Sequence, residues 1–329
     1  SNKGIELALD AVIVDTKDFG LNANFNISYN RAKIDKLAGG QTWQSSNWGG
    51  KPAGQNDFFI EEGGRLGEVY GYELDGFYTT DDFSWDGSKW ILNENLTDPT
   101  ELIKYNNFGP GSLKLKADED GKFTKKRLGN TVPTVTGGFG INMRYKNFDL
   151  SAFFNYSLGN KIVNATKLGS SYYNDTKKGW NLNDNFTLAK RYSWIDPSTG
   201  ENMLKSSYIK SNGLDYTINR LNEINAGASM YNPGSITEMP LLDWAVEDGS
   251  FLRVNNISIG YTLPKVFVNK MFMQNVRIYV TGYNLYCFTK YSGADPEVDT
   301  RRSTPMTPGV DYSAYPKSRS FVGGINVTF

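Results

Sequence analysis

Residues 19–30, FGLNANFNISYN, alternate in side-chain character without exception. Phe19, Leu21, Ala23, Phe25, Ile27 and Tyr29 fall on one side; Gly20, Asn22, Asn24, Asn26, Ser28 and Asn30 fall on the other. A period of two is the signature of a β-strand, because successive side chains of a strand point to opposite faces. The preceding run behaves alike, with Ile5, Leu7, Leu9, Ala11 and Ile13 on one face and Glu6 and Asp10 on the other. Thr16, Lys17 and Asp18 make a short turn between the two runs. An apolar face opposite an amide-rich face suits a strand between lipid and a wet lumen. Taken alone, this hairpin suits a half-buried strand of a soluble sandwich equally well.

The pattern recurs along the chain. Val135, Phe139, Ile141, Met143 and Tyr145 line one arm of a second hairpin, Phe148, Leu150, Ala152, Phe154 and Tyr156 line the other, and Lys146-Asn147 is the turn. Further strands are predicted at 64–80, where Asp75-Gly76 suits a tight turn, and at 251–263, 274–288 and 319–329. In the closing run Phe321, Gly323, Ile325, Val327 and Phe329 share a face. A strand ending on an apolar residue invites edge pairing, which closure into a barrel removes, so Phe329 is expected at a membrane interface.

Link lengths add an independent argument. Short links are predicted at 16–18, 146–147 and 264–273, and long ones at about 36–64, 159–250 and 289–318. Strands crossing a layer back and forth, with short links at one end and long links at the other, produce this asymmetry. It requires an even number of crossings within 65–132, and a hairpin is expected there. The total is about nine strands, against the roughly 22 of plugged transporters.

Composition narrows the function. Lys plus Arg and Asp plus Glu both number 35, so the formal net charge is zero and a basic surface for nucleic acid is not indicated. The absence of histidine removes Ser-His-Asp and Cys-His catalysis and the commonest metal ligand. The single Cys287 can form neither an internal disulfide nor a thiolate zinc site. Asp118, Asp120 and Gly121 faintly echo a calcium loop, but the distal Glu is missing and the segment reads as a solvated turn. No run is long and apolar enough for a membrane-spanning helix, which leaves barrel strands open. No catalytic residue, metal site or cofactor is predicted.

The longest excursion, 159–250, exceeds what a connection needs, and such loops are commonly functional. It carries rings with polar handles, and part of it, Asn185–Tyr192, has a short helical pattern. Tyr172, Tyr173, Trp180, Tyr192 and Trp194 are the candidate substrate-binding or lid-contact residues, with Asn174, Asp175, Asn181, Asn183, Asp184 and Arg191 beside them. The alternative role of these rings is a satellite core that orders the loop.

Several blocks resemble the SusC/RagA family of TonB-dependent outer-membrane transporters. They are LRVNNISIGYTLP, RIYVTGYNLYCFTKYSGADPEVD, TPGVDYSAYP and GGINVTF between Leu252 and Phe329. Upstream lie YKNFDLSAFFNYSLGNKIVN (Tyr145–Asn164), EVYGYELDGFY (Glu68–Tyr78) and the run Asn2–Ile34. The resemblance implies an all-β fold: residues 1–329 as the C-terminal part of a large antiparallel transmembrane β-barrel, with short periplasmic turns and long extracellular loops. It implies that a plug domain and earlier strands lie elsewhere in a larger protein. It further implies location in the bacterial outer membrane and import of oligosaccharides or peptides, driven by the TonB complex through the N-terminal part. A SusD-like surface lipoprotein would cap the loops, Phe329 would be read during barrel assembly, and the cargo would pass unaltered. Two other readings of the residues remain: a soluble sugar-binding β-sandwich with loop aromatics as stacking platforms, and a passive outer-membrane porin.

Overall fold

The computed structural model describes residues 1–40, 42–45, 55–173, 181–270, 272–297 and 306–329. Seven long strands form one antiparallel sheet: β1 (Asn2–Asp15), β2 (Phe19–Ala32), β3 (Val135–Tyr145), β4 (Phe148–Leu158), β5 (Phe251–Thr262), β6 (Asn275–Thr289) and β7 (Ser320–Thr328). Each strand pairs with its neighbours in sequence, so the sheet is a simple up-and-down meander.

The register converts the alternation into two chemically distinct faces. Phe25 lies opposite Leu9 on one side and Phe139 on the other. Phe139 in turn stacks on Phe154, ring centroids 4.6 Å apart. Ile259 continues this face opposite Leu150 and Val280. On the other face Asn24 lies opposite Asp10 and Gly140, and Asn142 lies opposite Asn22 and Ser151. Ser258 follows, opposite Ser151 and Thr281, and the Thr281 hydroxyl donates to Ser258 Oγ at 2.8 Å. Phe25, Ile27, Phe139, Ile141, Ile278 and Val280 thus share one face, and Asn24, Asn26, Asn142, Arg277 and Thr281 share the other. Ile5, Leu9, Ile259, Val280 and Ile325 are exposed, so the apolar face has no second sheet packed on it among the described residues. That is the arrangement of a barrel wall and not of a sandwich.

Among the described residues the sheet contains seven strands, against the expected total of about nine. The even number of crossings within 65–132 is zero: the one short hairpin described there, Phe83–Trp85 with Trp90–Leu92, stands apart from the large sheet. Residues 64–80 break into the short strands Glu68–Gly71 and Leu74–Phe77, which pair with Lys126–Asn130 and Leu113–Leu115. The reason is visible at Glu68 and Val69, which are adjacent and both buried. A segment buried on both sides cannot present one face to lipid.

The links alternate as expected, short at 16–18, 146–147 and 263–274, long at 33–134, 159–250 and 290–319. The shortest turn places Lys146 at φ 52° and ties to its neighbours, the Lys146 amide donating to Asp18 O and the Asn147 side chain to Thr262 O. The long links fold together into a cap. One buried cluster joins Phe58, Ile103 and Leu113 of the first link to Val163, Leu168 and Phe186 of the second and Val310 of the third. A second cluster joins Tyr78 and Trp90 to Tyr192, Trp194, Met203 and Leu221. Each fully buried apolar side chain stabilises by about 1.5–3 kcal/mol, so the clusters hold three sequence-distant links as one body. Small ladders assist: Ile236–Glu238 pairs with Lys104–Tyr105, and Lys161–Asn164 pairs with both Val246–Asp248 and Val310–Asp311. The helical pattern at 185–192 yields only a short turn, Asp184–Phe186. The cap's longer helices are Ser206–Asn212 and Leu214–Ile224, the second burying Leu214, Ile218 and Leu221 at helical spacing.

Candidate functional site

The cap encloses a cleft of about 600 Å³ where the first and second long links meet. Asn106 and Asn107 line it from the first link; Tyr173, Arg191, Tyr192, Trp194, Asn202 and Asn232 line it from the second. Its floor is built from backbone ladders. The Tyr192 amide donates to Met230 O (2.8 Å), the Met203 amide to Trp194 O (2.8 Å) and the Asn232 amide to Gly111 O (2.7 Å).

Two rings are fixed rigidly in that floor. Tyr192 packs edge-on against Phe77, centroids 5.2 Å apart, and covers Gly111. Gly111 has φ +84°, and a Cβ there would lie 2.3 Å from the Tyr192 ring, so both backbone conformation and contact require glycine. Trp194 donates its indole Nε1–H to Pro110 O at 2.7 Å. Beneath them Asp196 accepts from the Tyr208 hydroxyl (2.6 Å), the Ser198 amide (2.9 Å) and Arg220 (3.3 Å). These bonds, the Tyr208 one foremost, hold its carboxyl well below the usual range, at about 2.

The five aromatic residues singled out from the sequence divide as follows. Tyr173, Tyr192 and Trp194 line the cleft together. Tyr173 is half exposed, whereas Tyr192 and Trp194 are buried with only part of their surface on the cleft. Tyr172 points into the first core cluster, where burial pushes its phenol up to about 12. Trp180, with Asn174 and Asp175, lies outside the described residues. Asp118 closes its own turn, accepting from the Asp120 and Lys122 amides and the Thr124 hydroxyl.

Sequence reasoning missed the polar contacts that lock the third link to the wall. Arg253 of β5 donates from Nη2 to Asp295 (2.6 Å) and from Nε to Glu297 (2.8 Å), and Arg253 and Asp295 are both about 95% buried. Lys317 also pairs with Glu297. Lys167 pairs with Glu247 at 3.1 Å and sits over the Trp244 ring at 4.6 Å. The Ser292 amide and hydroxyl donate to the same Glu247 carboxylate. The acidic residues of ADPEVD were visible in sequence, but nothing local marked Arg253 as their partner 42 and 44 residues away.

No family model matches the chain. Over 340 residues it is 30% identical to TonB-dependent receptor P3 of Formosa agariphila, covering 100% of this chain and 28% of the relative. It is 24% identical over 339 residues to TonB-dependent receptor SusC of Bacteroides thetaiotaomicron, covering 26% of that protein. In fold it is similar to the RagAB peptide transporter, with a TM-score of 0.60 over 100% of this chain and 29% of that chain, at 21% identity. Over its whole length the chain is therefore similar in sequence to TonB-dependent receptors, SusC among them, and in fold to RagAB. It spans under a third of the length of the curated relatives it matches. An apolar face opposite an asparagine-rich face, as on β1–β7, suits a wall between lipid and a wet lumen. The relatives are named as receptors, and the structural neighbour as a transporter.

Proposed function

We propose that this chain is a section of the wall and outward cap of an energy-coupled outer-membrane importer. The single observation carrying this reading is the asymmetry of the fold. A two-faced wall bears turns at one end, while its three long links are fused at the other into one cap with a cleft. Such a cap positions cargo above a lumen whose wall is lined with amides and hydroxyls. In this reading the TonB complex supplies energy through parts of the receptor outside this chain, and a SusD-like lipoprotein covers the cap. The cargo is an oligosaccharide or peptide and leaves chemically unchanged. SusC and the RagAB peptide transporter, whose sequence or fold this chain shares, support it.

Tyr172, Tyr173, Trp180, Tyr192 and Trp194 divide the labour within it: Tyr173, Tyr192 and Trp194 face cargo or lid at the cleft, and Tyr172 holds the loop in shape. Trp180 is assigned to the same contact by sequence position. Phe329, largely exposed just beyond β7, serves assembly.

Deleting the receptor gene and following uptake of labelled oligosaccharides and peptides tests the transport reading. Loss of uptake of one class that returns with a plasmid-borne copy is expected; unchanged uptake of both, or unchanged uptake when TonB is inactivated, would remove it. Replacing the five rings singly with Ala tests the site, and barrel assembly without change in uptake or lid binding for all five would move it elsewhere. Deleting Phe329 should lower outer-membrane levels, and undiminished insertion would leave it only a lipid-anchoring role.

A further inference from the structure

We propose that the cap cleft binds a carboxylate-bearing ligand, with the Arg191 guanidinium as its charged partner; this rests on the reading of the cap as the cargo-handling end. Arg191 lines the cleft half-buried, and its side chain has no ion pair or hydrogen bond among the described residues. Its backbone is fixed, the amide donating to Thr187 O at 3.0 Å and the residue bridging to Met230. A guanidinium held partly out of water with no counter-ion among the described residues is a preformed anion partner, and its planar fork matches a carboxylate in a bidentate manner.

The rest of the lining has the same polarity. Asn202 and Asn232 already use their side-chain oxygens, which accept from the Leu204 amide (2.9 Å) and the Gly234 amide (2.8 Å). The Nδ2 donor of each makes no hydrogen bond among the described residues and is open to a ligand. Asn106, Asn107 and the Tyr173 hydroxyl add further donors, and among the described residues no Asp or Glu lines the cleft. A site whose described lining is rich in donors, with one cation and no carboxylate, favours acceptor-rich anions. Its volume of about 600 Å³ suits two or three peptide or sugar units. The fixed rings of Tyr192 and Trp194 supply a wall that needs little ordering on binding.

A carboxylate of this size comes either from a short peptide, at its C-terminus or an acidic side chain, or from a sugar acid. The test is calorimetric titration of the intact receptor in detergent with Gly-Gly-Glu and its fully amidated form, and with digalacturonate and its methyl ester. At least one acid should bind about tenfold tighter than its neutral counterpart, and the series showing this names the source. Arg191→Gln should abolish the preference and Arg191→Lys should retain part of it, with unchanged thermal melting of both variants. Equal binding of acid and neutral forms, no binding of either acid, or an undiminished preference in Arg191→Gln would overturn the inference. The importer reading is judged separately, by uptake in the deletion strain: restored uptake with no acid preference sinks only the cleft assignment. An acid preference in a receptor whose deletion leaves uptake unchanged sinks only the importer.

Discussion

Arg277 on β6 grips Asp149 on β4 across the whole width of the intervening strand β5, with Nε 2.9 Å from Oδ1 and Nη2 2.5 Å from Oδ2. The crossing is open because β5 has Gly260 at that register, opposite Asp149 and Tyr279. A Cβ on Gly260 would lie 2.4 Å from Nη2 and 2.5 Å from Oδ1. The polar face of three strands is therefore tied by one bidentate pair that depends on a missing side chain.

Gly260→Val should break this pair, and the intact barrel should then melt at a lower temperature. The pair is partly exposed, so a double-mutant cycle on Asp149→Ala and Arg277→Ala should give only roughly 0.2–1 kcal/mol of coupling. Gel-shift melting of the barrel reads this. A Gly260→Val barrel that melts like the wild type, or coupling near zero, would show that the bridge is ornamental.

Arg253→Ala should be far more damaging. It leaves Asp295 buried without its cation, and removing one partner of a buried pair costs about 3–5 kcal/mol. The loss should fall on the third long link, read as faster protease cleavage within 290–319. Glu297→Gln should have a smaller effect, because Glu297 is more exposed and keeps a polar side chain.

Acid should loosen the lobe under the cleft within a defined window. The Asp196 carboxyl titrates at about 2 when folded, below an ordinary Asp. A depressed folded value contributes stability that is complete above the unfolded value of about 4 and lost as pH falls through about 2. Hydrogen exchange of amides 196–203 should rise across that interval. Tyr208→Phe removes the foremost cause, so the folded value should rise toward the ordinary one and the acid-dependent rise in exchange should become smaller and finish at higher pH; a window unchanged by this substitution would assign the depression to other partners.

Single cysteines at Phe25 and Asn24, after Cys287→Ser, should report opposite sides of the wall. A membrane-impermeant thiol reagent should label Asn24→Cys through the lumen, whereas Phe25→Cys should stay protected by lipid and react in detergent-free nanodiscs only with a lipid-soluble reagent. The reverse labelling would invert the facing of β2.

The alternation along β2, β3 and β7 and the contrast between short and long links were legible in the chain alone. Both are local properties: a strand between lipid and water must change chemistry at every residue, and the covalent distance between strands is counted directly. The stretch 65–132 was misread as contributing wall strands because its short strands do show strand-forming residues. Their burial on both sides, as at Glu68 and Val69, is set by partners in other links. The rings of the longest excursion were visible in sequence, but whether a ring builds core or cleft depends on what packs behind it. Tyr172 and Tyr173 are neighbours in sequence, yet one is inside the first cluster and the other stands at the cleft. The same holds for charge. Arg191 and Arg253 look alike in sequence; tertiary structure gives Arg253 two carboxylates from the third link and leaves Arg191 facing the cleft. Local periodicity determined the wall, while the cap required packing between links more than a hundred residues apart, which no short window of sequence encodes.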